Sequence, residues 1–310
     1  MVTVAKRFEI EMTTRCNTNC FSCCHTPDMK TFLDTDKLIS FMDEDACSLV
    51  GRISFCGRAG DALFHPDFLK FVKHLKSIRR ELPLQFLTNG SARPISWWED
   101  LARSFHNKTD NIVFALDGVG DTHSIHRPGT NYLIVLRNLI AFIKGGGRAD
   151  WQFILFKHNQ HQVEEARKIA LDIGCEKFRV IPSRMYNDTF ERPTVDLNLT
   201  PPSILCYQDE KDKGEHTVHC RHTKFDKGLY LGADGIVSPC LFLSTLDRKH
   251  IRNNNIKLSP KFLVQYYKHM KYLDIYQGNK FRDILESDYF KWVAKNHKDI
   301  ATCEVMCGYN

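Results

Sequence analysis

An alternation narrows the fold of this chain more than any other feature of its sequence. Over the first 190 residues, short apolar runs recur between segments of helical period. The runs are FEIEM (8–12), ISFC (53–56), LQFL (84–87), IVFAL (112–116), FILF (153–156) and FRVI (178–181). Helix boundaries lie between them. Asp34 or Thr35 is placed to cap LISFM, Pro66 to open DFLKFVKHLKSI, and Ser96 to cap WWEDLARSF. Glycines at 145–147 and at 174 stop two further helices. Six strand–helix repeats predict a parallel α/β sheet, with enough strands for a curved sheet or partial barrel. In such folds ligands bind at the C-terminal ends of the strands, so the residues just after each run carry the most functional weight.

The pattern changes near residue 185. Residues 185–219 contain MYNDTFERPTVDLNLTPPS and a charged stretch, DEKDKGEH, with weak periodicity. This reads as a linker. GLYLGADGIVSPCLFL then predicts a hairpin around an Ala-Asp-Gly turn, and residues 256–300 are mostly helical in pattern. The expected division is an α/β partial barrel over 1–195 and a small α+β hairpin-and-helix domain over 196–310. With 310 residues, 43% of them hydrophobic, the chain can bury a sizeable core. No apolar run approaches a membrane span and no signal peptide is recognisable, so a cytoplasmic location is expected. Twelve cysteines without a secretory signal point to metal, cluster or redox chemistry rather than to a disulfide framework.

Three of those cysteines, Cys16, Cys20 and Cys23, form CNTNCFSC directly after the first strand. Three thiolates so close on one loop suit a [4Fe–4S] cluster with one iron left without a protein ligand. A structural zinc loop has the same donor type, and Cys24 and His25 lie next to the triad. The spacing alone leaves both open.

The sequence beyond this loop resembles the radical S-adenosylmethionine (radical SAM) enzymes. The second strand is followed by Gly57-Arg58-Ala59-Gly60-Asp61, similar to the family's glycine turn for the methionine amino group. The third ends in Thr88-Asn89-Gly90. The fourth ends in Ala115-Leu116-Asp117-Gly118, followed by His123, His126 and Arg127. The fifth is followed by Lys157-His158-Asn159. These signatures occur in family order, each after its proper strand. The resemblance implies a partial (β/α)6 barrel with a cluster on Cys16, Cys20 and Cys23. It implies cofactor contacts from Phe21, Gly57, Gly60, Asp61, Thr88, Asn89, Ala115 and Asn159. The chain departs from the pattern in three places. Ser22 stands where an aromatic usually precedes the third cysteine, Ala62 stands for a proline, and Ala115 for a serine.

The resemblance extends to the C-terminal part. Cys220 and Cys240 are spaced C-x14-G-x4-C about Gly235, and Cys303 and Cys307 are spaced C-x3-C. The hairpin spacing is similar to that of twitch and SPASM extensions. Four cysteines would hold one auxiliary [4Fe–4S] cluster, and a structural zinc ribbon is the other reading. Cys206 is a spare candidate ligand.

The implied reaction is one-electron cleavage of SAM and hydrogen abstraction from a substrate by the 5′-deoxyadenosyl radical. The electron would come from a flavodoxin- or ferredoxin-type protein. Asp117 or His123 is a candidate base, and Arg127 a candidate anion binder; SAM-ribose contacts or ion pairing are the plainer roles for each. The substrate classes are a peptide or protein side chain, a sugar, or a nucleotide-type small molecule. Little sequence precedes the first strand, where a leader-binding module often sits, which is expected to lower the peptide reading without removing it and to make a small molecule or a nucleotide-type substrate a fair competitor.

The formal charge of +6 decides little by itself. Residues 245–298, however, hold twelve basic against five acidic side chains and nine aromatics. That composition suits a nucleic-acid surface, or an amphipathic helical layer with its lysines in water. The rival reading is therefore a non-catalytic zinc or iron–sulfur protein that binds nucleic acid through this segment.

Overall fold

The computed structural model describes residues 5–23, 31–55, 59–195, 228–244, 260–300 and 303. Six strands follow one another as the alternation predicts. They are β1 (Arg7–Ile10), β2 (Ile53–Phe55), β3 (Leu84–Thr88), β4 (Asn111–Ala115), β5 (Ala149–Leu155) and β6 (Lys177–Pro182). Each is parallel to its sequence neighbour. Parallel neighbours require a crossover, and helices supply it. α1 (Thr35–Phe41) and α2 (Glu44–Ser48) join β1 to β2, α3 (Phe68–Ile78) follows β2, and α4 (Ile95–Ser104) follows β3. α5 (Thr122–His126) and α6 (Tyr132–Lys144) follow β4, and α7 (Val163–Asp172) follows β5.

The helix starts have local causes. Asp34 Oδ1 accepts the Lys37 N–H and Asp43 Oδ1 the Ala46 N–H, each at 2.9 Å, so two otherwise unpaired donors are satisfied. Ser96 does not cap its helix as expected. Pro94 holds that position and Ser96 falls inside the first turn, because the fixed φ of proline already sets the entry.

The strands have two unlike faces. Phe8, Ile53, Phe55, Phe86, Phe114 and Trp151 point to one side and are fully buried. Phe55 packs on Phe68 of α3 and Phe114 on Trp98 of α4, with ring centroids 4.9 and 5.1 Å apart. The alternate positions are mixed. Glu9 pairs in register with Ser54, and Ser54 with Gln85, whereas Leu87 pairs with Val113. The large aromatic core lies between sheet and helices, and the opposite face carries both polar and apolar side chains.

The hairpin forms as β7 (Gly228–Leu231) and β8 (Val237–Ser238), and Gly235 takes φ +85° in its turn. It continues the main sheet, because β7 pairs in parallel with β1 from Arg7↔Gly228 to Ile10↔Leu231. The sheet therefore has eight strands in the order β6-β5-β4-β3-β2-β1-β7-β8, and its pairing crosses the expected division at 195/196. α8 (Pro260–Leu273), α9 (Phe281–Leu285) and α10 (Asp288–Asn296) follow. Phe281 packs on Phe8 and Phe41 at 5.2 and 5.6 Å. The described part of the expected linker is fastened to the barrel. Lys157 pairs with Glu191 at 2.6 Å, and Gln160 Nε2 donates to Thr194 Oγ1 at 2.9 Å. Among the described residues no helix is long and apolar enough to cross a membrane.

One ion pair is buried in the layer between sheet and helices. Lys76 Nζ of α3 donates to both oxygens of Asp110 at 2.8 and 2.7 Å, and Asp110 Oδ1 also accepts the Leu84 N–H at 2.8 Å. Removing one partner strands the other charge. Asp110→Ala is expected to lower unfolding stability by about 3–5 kcal/mol, read from urea denaturation, whereas Asp110→Leu with Lys76→Met recovers most of the loss.

Candidate functional site

Most of the residues singled out in the sequence lie at the C-terminal ends of β1 to β5. The loop after β1 carries the first three cysteines. Thr18 Oγ1 lies 3.2 Å from Cys16 Sγ and 3.3 Å from Cys20 Sγ, and the Cys23 N–H donates to the Cys20 carbonyl at 3.0 Å. Asn89 Nδ2 points at Cys16 Sγ from 3.4 Å, and Arg127 Nη1 at Cys20 Sγ from 3.9 Å. Burial pushes the Cys16 thiol up, and the charge of Asp61 adds to this. Cys23 is exposed, and among the described residues no three such side chains converge on one metal position. The donor set nonetheless fits a cluster. It offers three thiols on one short loop, with an amide and a guanidinium directed at two of the sulfurs.

The turn after β2 sits against this loop. The Asp61 N–H donates to the Arg15 carbonyl at 2.9 Å. A Cβ on Gly60 would lie 2.1 Å from the Thr13 carbonyl oxygen, so only glycine fits there. Asp61 is buried and accepts from Leu63 N–H at 3.0 Å, Thr88 Oγ1 at 3.0 Å and Asn89 N–H at 2.7 Å. Burial raises its pKa, and those three donors act against the rise. Gly57 lies outside the described residues. Thr88 and Asn89 therefore hold the turn and the cysteine loop at the same time.

Glu11, which the sequence reading missed, completes this corner. It is buried just past β1. Its Oε1 accepts the Ala59 N–H at 2.6 Å and its Oε2 accepts the Tyr230 hydroxyl of β7 at 2.7 Å. The only signal the sequence held is a carboxylate inside the apolar run FEIEM.

The ends of β4 and β5 meet at Asp117, whose side chain is fully buried. Oδ2 accepts from Arg127 Nε at 2.6 Å and from His126 Nδ1 at 2.7 Å, and Oδ1 accepts the Ile154 N–H at 2.7 Å. Burial opposes the charge, but Arg127, His126 and that N–H outweigh it and hold the carboxyl well below the usual carboxylate range. A carboxylate so engaged orients its partners. His123 faces the other way. Its Nδ1 takes the Asp117 N–H at 3.2 Å and its Nε2 pairs with Thr130 Oγ1 at 2.9 Å. Asn159 gives both amide hydrogens to the carbonyls of Asp117 and Ile154, at 2.8 and 2.9 Å, and so clasps β4 to β5. Ala115 is buried at the end of β4. Phe21 stacks on Phe190 at 4.7 Å.

Of the second cysteine group, Cys240 and Cys303 are described. Both are buried, and both act on the hydroxyl of Tyr289. Burial first, then Tyr266 and these two sulfurs, pushes that hydroxyl well above its ordinary pKa. Cys220 and Cys307, with the spare Cys206, lie outside the described residues.

No known sequence family and no curated protein matches the chain. Solved structures do. Streptococcus suis SuiB bound to S-adenosylmethionine aligns at TM-score 0.59 and 14% identity over 92% of this chain and 75% of that one. SuiB bound to precursor peptide SuiA aligns at TM-score 0.65 and 12% identity, over 99% and 72%. Native anSMEcpe with bound AdoMet and Cp18Cys peptide aligns at TM-score 0.52 and 14% identity, over 94% and 98%. In a further SuiB structure the match spans 62% of that chain, less than two thirds of its length. The likeness establishes a shared fold, the parallel α/β partial barrel.

Burial first, then the charge of Arg127, pushes His123 down from 6.5 to about 4. The unfolded chain therefore binds the extra proton between those values and the folded chain does not. Stability is expected to fall as pH drops from about 6.5 towards 4. Urea unfolding across that window measures the slope, and His123→Gln is expected to flatten it.

Proposed function

We propose that this chain is a radical SAM enzyme that abstracts a hydrogen atom from a substrate bound at the strand ends. The observation that carries the reading is the joint placement of the Cys16–Cys23 loop, the Gly60–Asp61 turn and Asn89, linked by direct hydrogen bonds. Cys16, Cys20 and Cys23 would hold the cluster, and the turn at 57–61 with Asn89 would receive the amino acid end of SAM. When bound, these groups supply the one-electron cleavage that yields methionine and a 5′-deoxyadenosyl radical. The shared fold with SAM-bound SuiB and anSMEcpe supports the cofactor assignment.

The chain's own residues position and shield. Asn89 braces Cys16, and Arg127, locked by Asp117, places a positive charge beside Cys20. Asp117 and His123 act as positioning residues, with His123 neutral behind the Asp117 turn. Phe21, Phe156 and Phe190 exclude water from the same corner, which a reactive radical requires. Glu11 and Tyr230 tie Ala59, beside Gly60 and Asp61, to the C-terminal hairpin.

Cys220, Cys240, Cys303 and Cys307 would hold a second, auxiliary cluster in a twitch-like part over 196–310, and a reductase of the flavodoxin or ferredoxin type would supply electrons. The pairing of β7 with β1 supports a hairpin held rigidly against the barrel. Two of the proteins that share the fold are peptide-bound, which favours a peptide among the substrate classes. The nucleic-acid-binding alternative explains the basic segment but not the braced cysteine loop.

Anaerobic reconstitution tests the reading. About eight irons per chain are expected, falling to about four when Cys16, Cys20 and Cys23 become Ala. The reduced protein should show a SAM-dependent EPR change that the variant lacks. Zinc alone, with no response to SAM, overturns the enzyme reading. Tyr230→Phe should keep its iron and weaken SAM binding by roughly three- to tenfold, as read by equilibrium dialysis.

A further inference from the structure

Beside the cysteine loop, a ring-sized slot is occupied by Phe190. The Phe190 ring stacks on Phe21 at 4.7 Å and an interplanar angle of 11°, and meets Phe156 at 5.4 Å. The imidazoles of His126 and His158 stand nearly perpendicular to it at 5.8 and 5.9 Å. Phe156 carries His158 stacked at 5.3 Å and His126 at 4.7 Å. Two imidazoles and two phenyl rings therefore grip a third phenyl ring, supplied by the chain segment that crosses the barrel edge.

Phe190 fills this slot sterically but not chemically. His126 Nε2 and both ring nitrogens of His158 are buried without a hydrogen-bond partner, and His126 is only 1% exposed. Buried polar atoms are almost always paired, and three unpaired ones around one ring call for a ligand. A phenyl ring offers them nothing. The polarity needed can be read from the bonds already made. His126 Nδ1 faces the carboxylate oxygen Oδ2 of Asp117 at 2.7 Å and carries its hydrogen there, and in that tautomer Nε2 is a lone pair that takes a donor. Burial chiefly lowers the pKa of His158 and favours its neutral ring, which has one N–H and one lone pair.

We propose that this slot binds an aromatic ring of the substrate that bears an O–H or N–H donor, the chemistry of a phenol, and that Phe190 keeps its place until that ring enters. The donor meets His126 Nε2, and His158 satisfies a second polar atom on the same ring edge. A cavity of about 530 Å³ is lined by Lys157, Tyr186, Glu191 and Arg192, chain neighbours of His158 and Phe190, and is the route of entry this proposal assigns. The word substrate rests on the radical SAM reading, whereas the binding chemistry does not.

The test uses p-cresol and toluene as probes on the reconstituted full chain, by saturation-transfer NMR and calorimetric titration. Neither measurement requires turnover, so it stands apart from the test of the enzyme reading. p-Cresol should bind roughly tenfold more tightly than toluene, remain bound at saturating SAM, and bind more tightly still to Phe190→Ala. The preference should vanish in the His126→Phe, His158→Phe double variant, which keeps the ring packing. Equal affinity for the two probes, or no binding of either, overturns the proposal on the unaltered chain, even if the double variant fails to fold. Displacement of p-cresol by SAM would give the slot to the cofactor's own ring and overturn the assignment to substrate.

Discussion

The architecture of the site follows from how one buried carboxylate is neutralised. Asp117 has no access to water, so its charge must be met by protein donors. Three of them meet it, from two different parts of the chain: Arg127 and His126 at the end of α5, and the Ile154 N–H inside β5. Each of these bonds then fixes something further. The Ile154 contact registers β5 against the β4 turn. The Arg127 contact aims a cation at Cys20. The His126 contact decides which imidazole nitrogen is left over.

A second set of constraints acts on the opposite flank. β1 is an interior strand, with β2 on one side and β7 on the other. The loop that bears the cysteines therefore leaves the sheet between two hydrogen-bonded neighbours, which limits where it can swing. Glu11 adds a polar tie at the point of exit. The cysteine loop thus sits between the Asp117 network and the Glu11 tie, and both depend on buried carboxylates.

Much of this could be read from the sequence because period and order are local properties. The six runs became the six parallel strands, and the residues after them lie together at the strand ends. Partnership is not local. GLYLGADGIVSPCLFL announces a hairpin, but nothing in its alternation says that Leu229 lies in register with Phe8. The same limit applies to histidines. His123 and His126 are three residues apart on one short helix, and both look available in the sequence. Only the packed structure shows that His123 spends one nitrogen on the Asp117 N–H and the other on Thr130, while His126 keeps one in reserve. Pro94 outranked Ser96 as a helix start for a similar reason, since a preset φ competes with a hydroxyl cap and the sequence lists both.

The parallel pairing of β1 with β7 also has a kinetic consequence. Two strands far apart in sequence become neighbours, and the Glu11–Tyr230 bond closes a separation of 219 residues. Contacts of such span form late, because the entropy of closing the loop is lost before the contact returns anything. During synthesis the barrel from β1 to β6 can assemble while the hairpin is still in the ribosome. Until residue 230 emerges, β1 is an open sheet edge and the cysteine loop hangs from it. The nascent chain therefore presents its three N-terminal thiols on an unfinished rim well before the scaffold that will confine them exists.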